Sequence, residues 1–111
     1  MKVTVNARHM EATDAIRQYV ENKVAKLPRL YDSVQSVEVI LGHEKEKSTV
    51  EIVVAAKRKH TFVATHRDDN MYASVDQCLD KIEEQIRRFK DKVRDRQGPS
   101  HGDLVQETPT E

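Results

Sequence analysis

The chain has 111 residues, with 19 Lys and Arg side chains against 19 Asp and Glu side chains, so its formal net charge is zero. This length supports one domain, because two separate cores would each be too small to be stable. No apolar run approaches the roughly 18 residues that span a bilayer, and the first residues lack the apolar segment of a signal peptide. Cys78 is the only cysteine, which excludes an internal disulfide and fits a reducing, cytoplasmic location.

The neutral total conceals two segments of opposite charge. Residues 97–111 contain three acids, no Lys or Arg, and only Leu104 and Val105 as bulky apolar side chains. Such a segment buries too little apolar surface to offset its ordering entropy, so we expect a flexible acidic tail. Residues 1–96 keep 19 basic and 16 acidic side chains, a net charge of +3, and are predicted to form the folded domain.

The first half of the chain alternates between strand and helix patterns. Apolar residues with a period of two predict a strand around residues 3–7 and another over residues 34–41. Between these strands, apolar residues recur every three or four positions from Thr13, which predicts a capped helix that ends before Pro28.

The second half predicts two hairpins and a long helix. Alternation returns over 49–56 and 60–66, after a polar turn at 42–48 and around a basic tip at 57–59. The long helix follows the capping residues 68–70 and runs to about Arg96. The order β-α-β-β-β-α predicts an α+β two-layer sandwich, in which a four-stranded mixed sheet carries two helices on one face. We expect a right-handed first crossover and parallel first and second strands.

The long helix separates apolar from basic side chains. At ~100° per residue, its core face occupies roughly 80° of arc and consists of Val75, Leu79, Ile82, Ile86, Phe89 and Val93. One flank carries cations with no carboxylate among them: Lys81, Gln85, Arg88, Lys92 and Arg96. A column of unpaired like charges is unfavourable by itself, so it suggests an anionic partner. Positions 81 to 92 cover roughly 16 Å along the axis, enough to follow several phosphates of a folded RNA.

Two simpler interpretations of this helix stay open. The cations can be a solvated face that complements the helix dipole near the C-terminus. The apolar stripe also matches an a/d heptad pattern, so the chain can be a protein–protein module that dimerises through this helix.

Further basic residues strengthen the RNA interpretation. The hairpin tip is formed by Lys57, Arg58 and Lys59, in a stretch without acids. The first helix adds Lys23 and Lys26, and Lys23 projects into the apolar stripe. Its stem can pack on the core with the amine at the surface, or its amine can be held in a groove between the helices.

Signatures of catalysis or metal binding are missing from the sequence. Its five histidines have no metal-ligand spacing with each other or with Cys78, and only three glycines exist, so there is no glycine-rich phosphate loop. We therefore expect neither an enzyme nor a cofactor or metal site. Aromatic residues are only 5% of the chain, which disfavours base stacking on the sheet and leaves recognition of RNA shape and phosphates.

Three stretches resemble the bacterial ribosome-hibernation factors, which comprise the ribosome-associated inhibitor and the short hibernation-promoting factors. They are residues 13–27 (TDAIRQYVENKVAKL), residues 71–76 (MYASVD) and residues 80–92 (DKIEEQIRRFKDK). The resemblance covers about residues 1–95. It implies a fold akin to double-stranded-RNA-binding domains and a non-enzymatic translation inhibitor in stress or stationary phase. It also implies that the protein is a monomer off the ribosome and takes no small molecule or membrane as a partner.

The implied partner is the small subunit of the 70S ribosome with its 16S rRNA, in the channel for messenger and transfer RNA. The implied RNA contacts are Lys23, Lys26, Lys81, Gln85, Arg88, Lys90 and Lys92. Two departures stand out: Glu84 replaces a residue that is usually basic in the family, and Asn70 replaces a usual Asp. The acidic tail resembles that of the ribosome-associated inhibitor and favours this branch. Alternatives are a short hibernation-promoting factor that favours ribosome dimers, and a double-stranded-RNA binder unrelated to ribosomes.

Overall fold

The computed structural model describes the backbone of residues 1–96 and the side chains of residues 1–93. The predicted tail, residues 97–111, lies outside the described residues. The elements follow the order β1 (Lys2–Arg8), α1 (Asp14–Val24), α2 (Leu27–Leu30), β2 (Val34–Glu44), β3 (Lys47–Ala56), β4 (His60–Asp68) and α3 (Met71–Arg96). A 3-10 turn at Lys57–Lys59 joins β3 to β4.

The four strands form one mixed sheet in the order β1-β2-β3-β4. Strands β1 and β2 are parallel, whereas β2–β3 and β3–β4 are antiparallel, as expected from a crossover followed by two hairpins. The core lies between the sheet and the helices, where apolar residues of alternating strand positions meet one stripe of each long helix. The predicted α+β fold with a four-stranded mixed sheet is therefore confirmed.

The first helix ends before Pro28, and a second helix follows it. Thr13 caps α1 by accepting a hydrogen bond from the Ile16 amide at 3.2 Å, and α1 ends at Val24. A separate short helix, α2, then contains Pro28 near its start. Proline is tolerated in the first turn of a helix because the amide it lacks has no intrahelical acceptor there. The first helix does end before Pro28, as predicted, but the short helix that contains Pro28 was not predicted.

The turn between β2 and β3 is much shorter than the predicted polar turn over 42–48. Both strands continue into this segment, with Glu44 paired to Lys47, and only Lys45 and Glu46 form the turn. Their φ angles are 48° and 68°, the left-handed values that a two-residue hairpin needs. Polar composition concealed the strand ends because His43, Glu44 and Lys47 are exposed.

Asn70 precedes α3 and caps it, because its side-chain oxygen accepts hydrogen bonds from the amides of Tyr72 (2.8 Å) and Ala73 (3.2 Å). Four of the six predicted core residues are buried: Val75, Leu79, Ile82 and Ile86. Phe89 is only partly buried, and Val93 is 38% exposed. The 26 residues of α3 rise about 39 Å, whereas the nine residues of β4 rise about 30 Å. The helix therefore extends beyond the sheet.

This packing removes the basis of the coiled-coil alternative. The apolar stripe of α3 is occupied by the protein's own sheet, and among its residues only Val93 is a largely exposed one. Within residues 1–96, no helix combines the length and the hydropathy needed to cross a bilayer.

Candidate nucleic-acid interface

The predicted basic flank of α3 lies along the outer edge of the sheet. Lys81 Nζ donates a hydrogen bond to the Thr65 carbonyl at 2.8 Å, and Gln85 Nε2 donates one to the Val63 carbonyl at 2.7 Å. Both carbonyls belong to β4, an edge strand whose outer backbone groups have no neighbouring strand. The two side chains thus supply donors to this edge and are held in place by it.

The hydrogen bond to β4 uses only part of the donor capacity of Lys81. An ammonium group has three N–H bonds, and only one is directed at Thr65. Because Lys81 is exposed, the other two can donate to a phosphate. Edge protection and anion binding are therefore compatible at this position.

Arg88 contradicts the prediction of a flank without a carboxylate partner. Its Nε lies 3.1 Å from Glu84 Oε2, one helical turn away, and both side chains are mostly exposed. Side chains four residues apart on a helix are neighbours, so Glu84, at the border of the basic flank, contacts Arg88 within it. Exposed pairs of this kind contribute only about 0.3–0.5 kcal/mol, and a phosphate can compete for Arg88. The side chain of Lys92 has no partner among residues 1–93.

Lys23 lies in the groove between α1 and α3, which decides between the two placements left open by the sequence. Its Nζ is 3.7 Å from Asp76 Oδ1 and 5.3 Å from the centre of the Tyr19 ring, and its side chain is 40% exposed. Tyr19 donates its hydroxyl hydrogen to the same carboxylate, 2.7 Å from Oδ1. This hydrogen bond raises the pKa of Tyr19 to about 12. The amine is therefore held in the groove between the helices by Asp76 and the Tyr19 ring, and it stays partly accessible to solvent.

Lys26 neutralises a buried carboxylate. Its Nζ lies 2.9 Å from Glu83 Oε2, and Arg87 Nη2 lies 3.5 Å from Glu83 Oε1. Glu83 is buried, and Oε2 accepts no hydrogen bond of good geometry within the described part of the chain. A buried carboxylate without a nearby cation is costly, so Lys26 supports the contact between the α1–α2 junction and α3 in addition to any RNA contact.

The hairpin tip presents three exposed cations. The φ angles of Arg58 and Lys59 are 66° and 61°, in the left-handed region that residues with side chains rarely adopt. No side-chain ion pair or hydrogen bond joins Lys57, Arg58 or Lys59 to residues 1–93. These are the predicted site residues that the structure leaves most available to an anion, together with Lys92.

Lys90 is the most internally engaged of the implied RNA contacts. Its Nζ donates to the Leu30 carbonyl at 2.6 Å, at the C-terminal end of α2. Cations at a helix C-terminus satisfy its unpaired carbonyls and its negative dipole end. The ten predicted residues thus differ in what they contact. Lys23 and Lys26 pair with carboxylates of α3, Lys81 and Gln85 bond to the β4 edge, Arg88 pairs with Glu84 and Lys90 bonds to the end of α2.

Sequence reasoning missed an open groove below the hairpin tip. The space has a volume of about 1200 Å³ and lies between the tip, the end of α2 and the last turns of α3. Partly buried rings line it: Tyr31, His60 and Phe89. The heptad pattern assigned Phe89 to the core, and only the overhang of α3 beyond the sheet, which periodicity does not report, places it at a surface.

Cys78 has no role in this interface. It is buried, and its thiol donates to the Ala64 carbonyl at 3.3 Å. Burial raises the pKa of the Cys78 thiol to about 12, so it stays protonated at neutral pH. Within residues 1–96, no group of three or more His, Cys, Asp and Glu side chains could hold a metal ion.

A family model described as Sigma 54 modulation protein / S30EA ribosomal protein matches residues 3–94. The chain belongs to this family. The match covers every strand and nearly all of the helical residues described above, so the family and the fold concern the same segment.

Curated relatives of this family member include two ribosome hibernation promoting factors. That of Azotobacter vinelandii is 35% identical over 97 residues, covering 87% of this chain and 90% of the relative. That of Escherichia coli K12 is 30% identical, covering 85% of this chain and 98% of the relative. The resemblance to hibernation factors is thereby confirmed.

Solved structures agree with the fold of this family member. The N-terminal domain of Protein Y from Thermus thermophilus is 34% identical, with a TM-score of 0.72 over 80% of this chain and 99% of that chain. A ribosomal subunit interface protein from Coxiella burnetii has a TM-score of 0.77 over 82% of this chain and 99% of that chain, at 24% identity.

Proposed function

We propose that this protein is a ribosome hibernation factor that binds the small ribosomal subunit. It occupies the channel for messenger and transfer RNA, contacts 16S rRNA, and inhibits translation of the 70S ribosome under stress or in stationary phase. It acts by occlusion, as a cytoplasmic monomer without a cofactor or catalytic step. The observation that carries the proposal is the row of exposed donors of α3 along the β4 edge, in a member of a ribosome-associated family.

The names of the relatives support the ribosome as the partner. Two relatives that share most of their length with this chain are called ribosome hibernation promoting factors. A structural neighbour is called a ribosomal subunit interface protein. These names concern those proteins, and the shared fold and length make the same class of partner the best proposal here.

The geometry supports phosphate recognition over catalysis. The proposed RNA contacts lie on α1 and just after it, on α3 and at the hairpin tip, namely Lys23, Lys26, Lys81, Gln85, Arg88, Lys90 and Lys92 together with Lys57, Arg58 and Lys59. Cations spread in this way suit the backbone of a folded RNA, where each phosphate contact adds affinity and salt sensitivity. The exposed ion pair between Arg88 and Glu84 can open to admit a phosphate.

Sedimentation of lysates from growing and starved cells through sucrose gradients tests this function. We expect the protein at the top of the gradient during growth and in the ribosome fractions after starvation. Protein that stays at the top in starved cells contradicts ribosome binding. Binding to purified small subunits with and without transfer RNA then tests the site, because occupation of the channel requires that the two compete.

The same gradients test the branch. The predicted tail over residues 97–111 leads us to propose the ribosome-associated-inhibitor branch, and hence that the protein is found with single 70S particles. Accumulation of the protein in ribosome dimers would assign it instead to the short hibernation-promoting branch.

A further inference from the structure

The groove below the hairpin tip combines two surfaces that are seldom exposed together. Its apolar and aromatic lining residues are Leu30, Tyr31, His60, Phe89 and Val93. Its charged lining residues, four cations and one carboxylate, are Lys57, Arg58, Arg87, Lys90 and Asp91. The volume of about 1200 Å³ exceeds the range of roughly 300–1,000 Å³ that is common for small-ligand pockets. It can therefore admit part of a polymer.

The rings of the groove are arranged for stacking. The centres of the His60 and Phe89 rings are 3.9 Å apart with an interplanar angle of 33°, close to a parallel stack. Tyr31 meets Phe89 edge-on, with ring centres 5.9 Å apart. All three rings are only partly buried. The ring cluster therefore extends from the core to the surface of the groove. A flat π surface at the end of such a stack matches a nucleobase, which gains stacking energy whatever its sequence.

Two of these cations, Lys57 and Arg58, belong to a strained turn. The hairpin closes with Ala56 paired to His60, which forces Arg58 and Lys59 into left-handed backbone conformations. Such conformations cost free energy and persist only where the surrounding structure imposes them. Their consequence here is that Lys57 and Arg58 line the same groove as the His60 ring.

We propose that this groove binds an unpaired nucleotide of RNA. The base stacks against the aromatic surface of His60, Phe89 and Tyr31, and the adjoining phosphates contact Lys57 and Arg58. The proposal rests on the proposed function and extends it, because it adds a base-stacking site to an interface otherwise made of phosphate contacts. An acidic peptide would satisfy the cations but would gain little from a stacked pair of rings.

A short RNA with a matched abasic analogue isolates the base contact. The full chain is titrated with an adenosine hexaribonucleotide and with a hexamer of the same backbone that lacks bases. Stacking of one base predicts that the adenosine hexamer binds at least about fivefold more tightly. Equal affinities, or displacement of the RNA by hexaglutamate at similar concentrations, would overturn the proposal, since the groove would then recognise charge alone.

Single-residue variants test whether the difference in affinity between the two hexamers arises in the groove. His60→Thr removes the ring from β4 but keeps a residue favoured in strands, and we expect it to lower the affinity for the adenosine hexamer to that of the abasic hexamer. His66→Thr makes the same change on the same strand, at a residue that does not line the groove, and should leave both affinities unchanged. Phe89→Leu retains apolar bulk without the ring and should behave as His60→Thr does. Equal losses for both hexamers in the His60 variant would refute base stacking.

The outcome is separable from that of the proposed function. If the wild-type protein sediments with small subunits but does not distinguish the two hexamers, only the nucleotide site is wrong. If the wild-type protein does not sediment with small subunits, the proposed function is wrong whatever the hexamers show.

Discussion

Lys81 Nζ donates to the backbone carbonyl of Thr65 at 2.8 Å, so a residue proposed to bind RNA also protects the open edge of the sheet. We expect Lys81→Met, which keeps most of the aliphatic stem, to change the free energy of unfolding by about 1 kcal/mol or less, because the lost hydrogen bond is exposed. The same variant should bind small subunits more weakly. Thermal unfolding and filter binding measure the two effects, and Lys45→Met at the β2–β3 turn is the control.

Glu84 lies 3.1 Å from Arg88 and competes with any phosphate for that guanidinium. We expect Glu84→Gln to tighten binding to small subunits by about twofold, since an exposed ion pair between residues one helical turn apart is worth about 0.3–0.5 kcal/mol. The free energy of unfolding should change by about 0.5 kcal/mol or less. Glu46→Gln removes the same charge from the β2–β3 turn and should leave the affinity unchanged. A weaker complex with Glu84→Gln would show that the carboxylate does not oppose binding.

Tyr19 connects the stability of the α1–α3 contact to alkaline pH. Its hydrogen bond to Asp76 raises the pKa of Tyr19 to about 12 in the folded protein, from about 10 in the unfolded chain. The contribution of this hydrogen bond to the free energy of unfolding is therefore fully present below pH ~10. It is lost as the pH rises from ~10 to ~12. The difference in unfolding free energy between wild type and Tyr19→Phe should therefore shrink over this window. Denaturant unfolding of both proteins across this window measures the difference, and a difference that stays constant would contradict the hydrogen bond to Asp76.

Gly42 faces Thr49 directly across the β2–β3 ladder, and a Cβ at position 42 would lie 2.7 Å from Thr49 Oγ1. We expect Gly42→Ala to lower the free energy of unfolding by about 1–2 kcal/mol through this overlap. Thr49→Ala removes the opposing oxygen, so the double variant should recover most of the loss. Denaturant unfolding of the four proteins in this cycle gives the coupling free energy. Additive losses would mean that some contact other than Thr49 excludes the methyl group.

Periodicity was sufficient for the layers of the fold because one face of each element is buried. The apolar residues Val37 and Val39 of β2, and Leu79 and Ile82 of α3, are all buried as their spacing predicts. Element ends were less predictable. Lys45 and Glu46 form a tight turn without the glycine that usually marks one, so polarity alone overestimated its length.

The candidate site was predictable in its positions but not in its internal contacts. Helical angles placed Lys81 and Gln85 on one flank, yet a helix considered alone does not reveal that β4 carbonyls lie beneath them. Arg88 and Glu84 lie on either side of the border between the two flanks. Helical angles assign them to different flanks and do not show that their side chains pair. The aromatic groove depends on the tertiary overhang of α3, which no local pattern contains.

The salt dependence of binding to purified small subunits tests the central claim most directly. We expect a variant with Lys81, Arg88 and Lys92 all changed to Gln to bind more weakly than wild type, with a salt slope lower by about one unit for each lost phosphate contact. The matched control changes Lys2, Arg8 and Lys45 to Gln, which removes equal charge from β1 and the β2–β3 turn. It should retain the wild-type affinity and slope. Equal effects of the two triple variants, or an affinity that ignores salt, would contradict the account.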